Sequence, residues 1–485
     1  MLLSIAEKLV SFTKRAIIIT LLVTPWSLRG QGVTNHWLMG YGCDSVTPRF
    51  GGGQINFLNN YPDTSFHCRT MNFSDCNANI SDSSGNLLFY TNGIYIANAL
   101  DDTMLNGDNI NPGTYTSQQS FFGLRVRQGD LILPMPDSAG KYYLFHETMY
   151  YNPTEAAYRT SDLFYSIIDM ALDSGRGAVT QKNIVVFTDT LNPGCLAACK
   201  HANGRDWWIV SHKGIGNRYF KFLVTPNGVS DPFVQDIGYS SKAGDWVLQS
   251  CFSEDGNWFS EVGTSDSVDI MKFDRCSGLL SQCQTFALND SGYGHGVAFS
   301  PNSRYCYITS LKYIYQFDLT NPTISNSKVL LGLDDGYVDP ILPFTTGFWL
   351  AKLAYDNKIY ITTSNTSTEF NVIYYPDSNG LSCNFIQHNL QLPTTYAWTV
   401  PNFPNYFLGA ETGTVCDSLS RIIHHTYVNS VSGNKQILKK PTFTGTNNKQ
   451  RSIPPRQNSE YFDNTQLISR DSLLYGLPLN RPNRK

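Results

Sequence analysis

One local pattern recurs along most of this chain: a short apolar strand, a polar turn, and then a strand rich in aromatic residues. The six turns are centred on residue types that favour tight turns, namely Gly85, Gly140, Gly204, Gly256, Ser303 and Asn357. The intervals between them are 55, 64, 52, 47 and 54 residues. A single copy leaves sheet faces uncovered, so each copy needs neighbours. Repeats of about 40 to 55 residues with about four strands each are typical of a β-propeller.

The number of blades follows from the length of the repeating region. Residues 33–410 divided by the typical interval give about seven blades, and six of these have their own turn. We expect the seventh to combine strands between Leu381 and Gly409 with the N-terminal strand segment, which closes the ring and removes free sheet edges. The prediction is an all-β fold, a single propeller of about seven four-stranded blades. Six blades, eight blades or an ordinary β-sandwich are the alternatives.

The composition favours short strands and turns over helices. The chain has 28 Tyr, 28 Phe and 8 Trp, together with 38 Gly and 23 Pro, whereas only 15% of its residues are charged. The formal net charge of −3 gives no reason to expect nucleic acid as a partner. We divide the sequence into a signal peptide over residues 1–30, the propeller over 31–410 and a basic tail over 411–485.

The first thirty residues have the layout of a secretory signal peptide. Lys8, Lys14 and Arg15 precede an apolar run over residues 16–28, and small residues follow, with cleavage expected near residues 30–31. The alternative is a membrane anchor, but a run of 13 residues is shorter than the roughly 20 that span a bilayer. The sequence therefore predicts a secreted or cell-surface protein without a transmembrane segment after cleavage.

Cysteine usage agrees with an exported protein. Eleven cysteines in such a chain are expected to form mostly disulfides. Two closely spaced pairs are the best candidates: Cys68 with Cys76, and Cys276 with Cys283. An odd count leaves at least one cysteine outside any disulfide within the chain, and the spacing alone does not set the connectivity.

The C-terminal region differs from the repeats in charge. From residue 434 to 485 there are ten Lys or Arg against three Asp or Glu, with many Asn, Ser and Pro and little periodicity. This pattern predicts a largely disordered, basic tail. Contact with an anionic cell surface is the alternative role for it.

Five stretches carry a resemblance to a known family: NISDSSGNLLFYTNGIYIAN from Asn79, YSIIDMALDSGRGAVTQKNI from Tyr165, KHANGRDWWIVSHKG from Lys200, SPNSRYCYIT from Ser300 and VPNFPNYFLG from Val400. In order and spacing they resemble the secreted β-propeller proteins of gliding bacteria of the Bacteroidota type. Members of that family usually join a WD40-like or YVTN-like propeller to a C-terminal sorting domain for type IX secretion. The resemblance implies the same repeat fold and export route, although the residues after Gly409 do not match the sorting domain.

Two constellations invite a catalytic interpretation. The sequence SEDGNW from Ser253 is similar to the sialidase Asp box, but its Trp comes one position early, and we interpret it as a blade turn in which Asp255 bonds nearby amides. His201 and His212 flank a Trp-Trp pair, where a metal or general-base role competes with capping of a turn or packing on Trp. In both cases we favour the structural role.

Two further motifs are weaker. Residues 292–296, GYGHG, precede a predicted strand and no helix, so they lack the helix N-terminus that a phosphate cradle needs. His146 and Glu147, with Glu155 nearby in sequence, offer a base and carboxylates without a spacing that fixes their geometry. We therefore assign no catalytic and no cofactor-binding residue.

An acidic loop is the candidate calcium site. Asp334, Asp335 and Asp339 are close in sequence, but they lack the ligand spacing of an EF-hand, and a solvated turn is the alternative. No other cofactor is predicted, and no metal ligand is assigned.

The sequence thus predicts a monomeric β-propeller that acts as a non-catalytic binding or scaffold module for protein or carbohydrate at the cell surface. Loops around the ring are the natural docking place. The first alternative is a propeller enzyme, a lyase, lactonase or glycosidase, which requires acidic or His side chains to converge at the mouth of the channel. The second is an adhesion or gliding-motility component of the cell envelope. The fold alone does not choose among these.

Overall fold

Seven small antiparallel sheets follow one another around a ring in the computed structural model, which describes residues 32–43, 49–59, 61–290, 292–339 and 344–417. These residues form 28 strands and one short α-helix, α1 (Thr114–Gln118). The prediction of an all-β, seven-bladed propeller is confirmed. No helix in the described ranges is long and apolar enough to cross a membrane. The predicted signal peptide and residues 418–485 of the predicted tail lie outside the described residues.

The first three blades differ in strand number. Blades 1 and 2 have three strands each, and blade 3 has four in its main sheet plus the short β9, which extends β10. Their strands are β1 (His36–Gly40), β2 (Gly52–Asn56), β3 (Asp63–Phe66), β4 (Ala78–Ser81), β5 (Leu87–Thr91), β6 (Ile96–Asn98), β7 (Asp130–Pro134), β8 (Lys141–Glu147), β9 (Tyr150–Asn152), β10 (Ala157–Asp169) and β11 (Ala178–Leu191). The expected four strands are thus not reached in blades 1 and 2.

Blades 4 to 7 each contain the expected four strands, and in blade 4 a short β15 adds to them. Their strands are β12 (Ala197–Lys200), β13 (Trp207–His212), β14 (Gly216–Thr225), β15 (Gly228–Val229), β16 (Phe233–Ser241), β17 (Val247–Phe252), β18 (Trp258–Gly263), β19 (Ser267–Asp274), β20 (Leu279–Ala287), β21 (Gly294–Phe299), β22 (Tyr305–Ser310), β23 (Tyr313–Asp318), β24 (Val329–Leu333), β25 (Phe348–Leu353), β26 (Ile359–Thr363), β27 (Ser367–Ile373) and β28 (Phe385–Tyr396).

All six predicted turn centres connect the first and second strands of a blade, in blades 2 to 7. Each adopts a positive φ, from 57° at Ser303 to 86° at Gly85. Glycine adopts this left-handed conformation without steric cost, and asparagine tolerates it better than most residues. The turn signal read from the sequence therefore corresponds to a backbone requirement.

Aromatic side chains fill the spaces between neighbouring blades. Trp37 of blade 1 packs edge-on against Tyr360 of blade 7, with ring centroids 5.7 Å apart, and is 1% exposed. Tyr219 of blade 4 meets Phe259 of blade 5 in the same manner at 5.9 Å. Large apolar rings in such edge-to-face pairs stabilise the contact beyond their buried area. Much of the aromatic surplus of the sequence is therefore blade core.

The ring closes between blades 1 and 7. Phe50, just before β2, forms a parallel bridge with Thr395 at the end of β28, and the amide of Thr395 donates to the carbonyl of Arg49 at 3.0 Å. The expected shared blade differs in detail, because β28 belongs to the sheet of blade 7 and residues 397–409 contain no strand.

Residues 397–409 instead run through the centre of the ring from one face to the other. They begin beside the connection between β26 and β27, where Trp398 donates its indole N–H to the carbonyl of Ser364 at 2.5 Å. They leave beside blade 5, where Arg275 donates to the carbonyl of Gly409 at 2.5 Å. We call residues 397–417 the axial segment. Its side chains bond to the innermost strands of several blades, and these bonds hold it on the axis. A strand paired to one sheet edge would not reach these partners.

The predicted disulfide pairs are wrong in their partners. The structure joins Cys43 to Cys68 and Cys276 to Cys416, whereas Cys76 and Cys283 are free thiols. In the β19–β20 hairpin, Asp274 pairs with Leu279, so Cys276 lies in the turn and Cys283 lies several residues along β20. The bond to Cys416 anchors the end of the axial segment to blade 5. This contact depends on the path of the chain across the ring, which local spacing does not reveal.

Candidate functional site

The two faces of the ring carry different connections. In blades 2 to 7, the loops that enter the innermost strands lie at the same end as the connections between second and third strands. We call this end the entry face, and the end with the six first-to-second-strand turns the turn face. Loops on a rigid scaffold are where binding residues concentrate.

A charged and aromatic cluster lies on the axis at the entry face. Arg127 forms an ion pair with Asp75, with 3.2 Å between Nε and Oδ1, and its guanidinium lies 5.0 Å from the ring centre of Trp349. His295 stacks on the same Trp349, with 4.1 Å between the two ring centres. We call Asp75, Arg127, His295 and Trp349 the axial cluster. Its members come from blades 2, 3, 6 and 7.

The histidine of the axial cluster is neutral. Burial, reinforced by the charge of Arg127, lowers the pKa of His295 to about 3. The side chain is 6% exposed, and its Nδ1 has no hydrogen-bond partner within the described protein. A neutral imidazole stacked on indole suits packing and hydrogen bonding more than electrostatic attraction of an anion.

Two buried acids lie close to this cluster. Asp130 and Glu147 are both 0% exposed, and burial raises the pKa of Asp130 to about 7 and that of Glu147 well above its usual range. Glu147 accepts a hydrogen bond from the amide of Gly194, while among the described residues neither oxygen of the Asp130 carboxyl has a hydrogen bond of normal geometry. Cys76 is their neighbour, and its thiol pKa is raised by burial and by these carboxyls. The group is therefore shielded from solvent.

Three side-chain amides close the channel below the cluster. Gln128 donates to the carbonyl of Ser250 at 3.0 Å, and Gln249 donates to the carbonyl of Ala351 at 2.8 Å. Asn402 of the axial segment donates to the carbonyls of blade 3 and of the residue before blade 4, both at 3.0 Å. We call Gln128, Gln249 and Asn402 the amide plug. The channel is therefore not an open passage for a ligand.

A cavity of about 90 Å³ lies on the turn-face side of the plug. The axial segment forms one wall of it, and the ammonium group of Lys352 donates to the carbonyl of Phe403 at 2.5 Å. Burial lowers the pKa of Lys352. Asn405 ties the segment to Glu254 of the blade 5 turn at 2.8 Å. The space suits ordered waters, since one water needs about 10 to 15 Å³ by this kind of measure.

Aromatic side chains gather on the entry face beside the axis. Tyr158 lies 5.5 Å from Tyr115, 5.5 Å from Tyr151 and 6.4 Å from Trp246, measured between ring centres. Tyr115 belongs to α1, and Phe121 follows this helix with 71% of its surface exposed. We call these four packed rings, together with the exposed Phe121 that follows α1, the aromatic surface. Two insertions, α1 with its loop and the β9–β10 hairpin, supply four of its side chains, and Trp246 comes from the loop before β17.

The residues singled out in the sequence are mostly structural. Asp255 accepts from the amide of Asn257 at 3.0 Å and from the hydroxyl of Ser253 at 2.5 Å, so the turn interpretation is correct. His201 bonds to the carbonyl of Cys276 at 3.1 Å, whereas His212 packs on Tyr219 at the opposite end of β13. The two histidines do not form one site.

His146, Glu147 and Glu155 also fail to converge. The two ring nitrogens of His146 bond to Asn111 and Ser166 at 2.8 and 2.9 Å, and burial lowers its pKa to about 3. Glu155 instead pairs with Arg159 at 2.7 Å. The glycine-rich stretch at residues 292–296 leads into β21, a strand, as expected.

The acidic loop uses two of its carboxylates within the protein. Asp339 forms an ion pair with Arg49 at 2.5 Å, and Asp335 contacts His388 at 3.2 Å. In the described part of the chain, no group of three His, Cys, Asp or Glu side chains has the arrangement of a metal site. Calcium binding by this loop stays a prediction.

Sequence reasoning missed the axial cluster and the amide plug. Asp75, Arg127 and Trp349 have no common motif, because they meet only when blades 2, 3 and 7 are placed around one axis. Their one shared signal is position, since each lies just before or at the start of an innermost strand.

No protein-family model matches the chain, and no curated protein matches it. Among solved structures, it is similar to a putative 6-phosphogluconolactonase from Bacteroides fragilis, at 10% identity and a TM-score of 0.43, covering 78% of this chain and 99% of that one. It is also similar to the periplasmic gluconolactonase of Pseudomonas aeruginosa, at 10% identity and a TM-score of 0.40, covering 77% and 100% of the two chains. A protein from Lactobacillus plantarum is similar at 10% identity and a TM-score of 0.41, covering 76% and 99%. The blade count itself rests on the seven sheets described above.

Proposed function

We propose that this chain is a non-catalytic binding module of an exported protein and that it holds a protein or carbohydrate ligand on the entry face. The observation that carries the proposal is the aromatic surface, in which Phe121 is 71% and Tyr151 50% exposed. Exposed apolar patches on a soluble domain mark interaction sites, and aromatic side chains dominate the energetics of such contacts. Apart from Trp246, this surface lies on inserted elements, away from the contact of Phe50 with Thr395 that closes the ring.

Because the amide plug and the axial segment fill the axis of the ring, the ligand must bind at the surface. The amide plug closes the channel, and the cavity beyond it is small, so a macromolecule has no way in. The axial cluster lies near the aromatic surface and offers Arg127 as a cationic neighbour, although its ion pair with Asp75 and its burial limit that role.

A propeller enzyme is the second candidate, favoured by one observation. Asp130 has a pKa of about 7, close to the value that suits a general acid or base at neutral pH. The same side chain is 0% exposed, so no substrate reaches it without a rearrangement. Assays with chromogenic esters, lactones and glycosides check this candidate: turnover that disappears in Asp130→Asn and persists in Asp236→Asn supports an enzyme.

Export is a further part of the proposal. The disulfides Cys43–Cys68 and Cys276–Cys416 suit an oxidising compartment, and the resemblance to secreted propellers of gliding bacteria points the same way. A role in adhesion or gliding motility fits the same location. Cell fractionation with N-terminal sequencing of the mature protein checks export, and we expect the mature chain to begin near residue 31.

The binding proposal is tested with a panel of soluble polysaccharides and extracellular polypeptides, measured by biolayer interferometry. We expect Phe121→Ala and Tyr151→Ala each to weaken binding of a panel member by about tenfold or more, the equivalent of about 1.4 kcal/mol. Tyr375→Ala is the matched control, because Tyr375 is 59% exposed but lies on the turn side of blade 7. Equal affinities for all four proteins would refute the aromatic surface as the docking place.

A further inference from the structure

A separate cavity lies on the entry face between blades 4 and 5. Its volume is about 20 Å³, which is room for one group of the size of a water molecule. The side chains that matter in its lining are Asn192, His212, Tyr239, Trp246, Glu261 and Asp269. Trp246 also belongs to the aromatic surface, so the cavity lies beside the proposed docking place.

Three carboxyl groups, those of Asp245, Glu261 and Asp269, give the cavity its charge. Glu261 and Asp269 are direct partners in the register of β18 and β19, so their side chains share one side of the sheet. They are 9% and 4% exposed. Asp269 accepts hydrogen bonds from the amide of Tyr239 at 2.8 Å and from the hydroxyl of Thr285. Among the described residues, no lysine or arginine lines the cavity.

Glu261 has far fewer partners than Asp269. The hydroxyl of Tyr219 is its polar neighbour, and burial together with the charge of Asp269 raises the pKa of Glu261 well above its usual range. A buried carboxyl in this setting gains most from a cation placed next to it, because the low local dielectric strengthens that attraction.

Two further polar groups in the lining lack partners. Nδ1 of His212, a side chain 5% exposed, has no hydrogen-bond partner within the described protein. Burial lowers the pKa of His212 to about 4, so the ring is neutral and carries an acceptor nitrogen. Nδ2 of Asn192, 1% exposed, is likewise without a partner, while its Oδ1 accepts from Val247 at 3.3 Å. Buried polar groups are costly without a partner, so these atoms point to a ligand.

The geometry points to a lysine side chain of a polypeptide partner, whose ammonium group enters this cavity and is held by Glu261 and His212. An ammonium group supplies three donors for carboxylate and imidazole acceptors, and two aromatic residues, Tyr239 and Trp246, line the same cavity. Asn192 provides a donor for an oxygen acceptor on the same partner. The inference rests on the proposed function and narrows its ligand to a lysine-bearing polypeptide.

Size and geometry separate this ligand from two alternatives. A lysine reaches a cavity of this size through a slender chain, whereas the ammonium group of an amino sugar is attached directly to a bulky ring. A metal ion requires more ligands in one place, and the described residues offer no group of three His, Cys, Asp or Glu arranged for one.

The test uses the intact protein and short peptides. Isothermal titration calorimetry compares a blocked peptide with one lysine, the same peptide with acetylated lysine, a lysine-free peptide with a free N-terminus, a chitosan oligomer and calcium chloride. We expect the lysine peptide to bind at least about tenfold more tightly than its acetylated form, and Glu261→Gln to remove this difference. Asp236→Asn is the control, because Asp236 lies in blade 4 and pairs with Arg218 outside the cavity.

Equal binding of the lysine and acetyl-lysine peptides to the unaltered protein would overturn the inference, whether or not Glu261→Gln folds. Preference for the free N-terminus, for chitosan or for calcium would overturn it as well. This outcome can be distinguished from a failure of the proposed function. If Phe121→Ala weakens ligand binding but the protein shows no preference for lysine, the proposed binding module stands and only the lysine site is refuted.

Discussion

Nε2 of Gln128 donates a hydrogen bond to Oδ1 of Asn402 at 3.3 Å, across 274 residues of sequence. Gln128 precedes the innermost strand of blade 3, and Asn402 lies midway along the axial segment. Oε1 of Gln128 also accepts from the amide of Ser250 in blade 5 at 2.8 Å. One side chain thus connects two blades and the axial segment, and the amide plug joins blades that share no strand.

The first prediction concerns the amide plug. Gln249 accepts from the amides of Val297 and Ala351 at 2.9 and 3.1 Å, and these amides belong to blades 6 and 7. Gln249→Ala leaves these buried donors without partners, and we expect a loss of about 2 to 4 kcal/mol in the free energy of unfolding, measured by urea denaturation. The matched control is Gln387→Ala, because Gln387 also bonds to backbone groups but at the surface. Equal losses in both variants would show that the axis is not held by these bonds.

The second prediction concerns the end of the axial segment. The Cys276–Cys416 disulfide closes a loop with a sequence separation of 140 residues. We expect Cys416→Ser to lower the free energy of unfolding by about 2 to 5 kcal/mol, since cross-links across long loops restrict the unfolded chain. Cys283→Ser, which removes a free thiol, is expected to change it by less than about 1 kcal/mol. Peptide mapping without reduction provides an independent check, and a Cys276–Cys283 peptide would contradict the structure.

The third prediction separates backbone strain from crowding at two blade turns. Gly140 and Gly256 have φ values of 75° and 73°. A Cβ at Gly140 has nothing within 4 Å, whereas one at Gly256 lies 2.8 Å from Arg275, Cys199 and Leu408. Gly140→Ala is expected to cost about 1 to 2 kcal/mol from the left-handed conformation alone. Gly256→Ala is expected to cost about 1 to 3 kcal/mol more. Thermal melting of both variants measures this difference, and a larger loss at Gly140 would disprove the account.

The fourth prediction concerns pH. Asp130 has a pKa of about 7 in the folded state and about 3.9 when unfolded, so the native state binds more protons between these values. Its contribution therefore stabilises the fold as pH falls from about 7 to 4 and is lost as pH rises through about 7. Asp130→Asn removes this dependence.

We expect the free energy of unfolding of Asp130→Asn, relative to the unaltered protein, to be higher at about pH 8 than at about pH 5, by at most about 1.4 kcal/mol per unit of the titration window. Denaturant titrations at both pH values measure the difference. Asp236→Asn serves as control, because its ion pair with Arg218 lowers the pKa of Asp236, and its titration lies below this window. A constant difference for Asp130→Asn would rule out a raised pKa.

The local features of the fold were predictable from the sequence. Gly85, Gly140, Gly204, Gly256, Ser303 and Asn357 mark turns because the required positive φ restricts which residues fit. Asp255 was correctly interpreted as a turn residue, since its carboxylate accepts hydrogen bonds from Ser253 and Asn257, each only two residues away. Repetition of such local signals was sufficient to predict a seven-bladed propeller.

Long-range features were predicted less well. The sequence analysis did not anticipate the disulfides Cys43–Cys68 and Cys276–Cys416. Their sequence separations of 25 and 140 residues are longer than the spacing across a hairpin turn on which the predicted pairs were based. The expected strand pairing of the C-terminal region with the N-terminus is reduced to the bridge between Phe50 and Thr395, and residues 397–409 follow an irregular path along the axis. Polar side chains on that path, such as Asn402, look like ordinary loop residues in the sequence.

By itself, the sequence determined the repeating unit of this protein, because turn geometry and the alternation of aromatic residues act over a few neighbouring positions. Tertiary structure alone decided what the axis contains. Asp75, Arg127, His295 and Trp349 come from four blades, and Gln128 meets Asn402 only once the ring has closed. The physical reason is that blade packing depends on the apolar pattern of each repeat, whereas hydrogen bonds on the axis depend on which polar side chains the closed ring brings together.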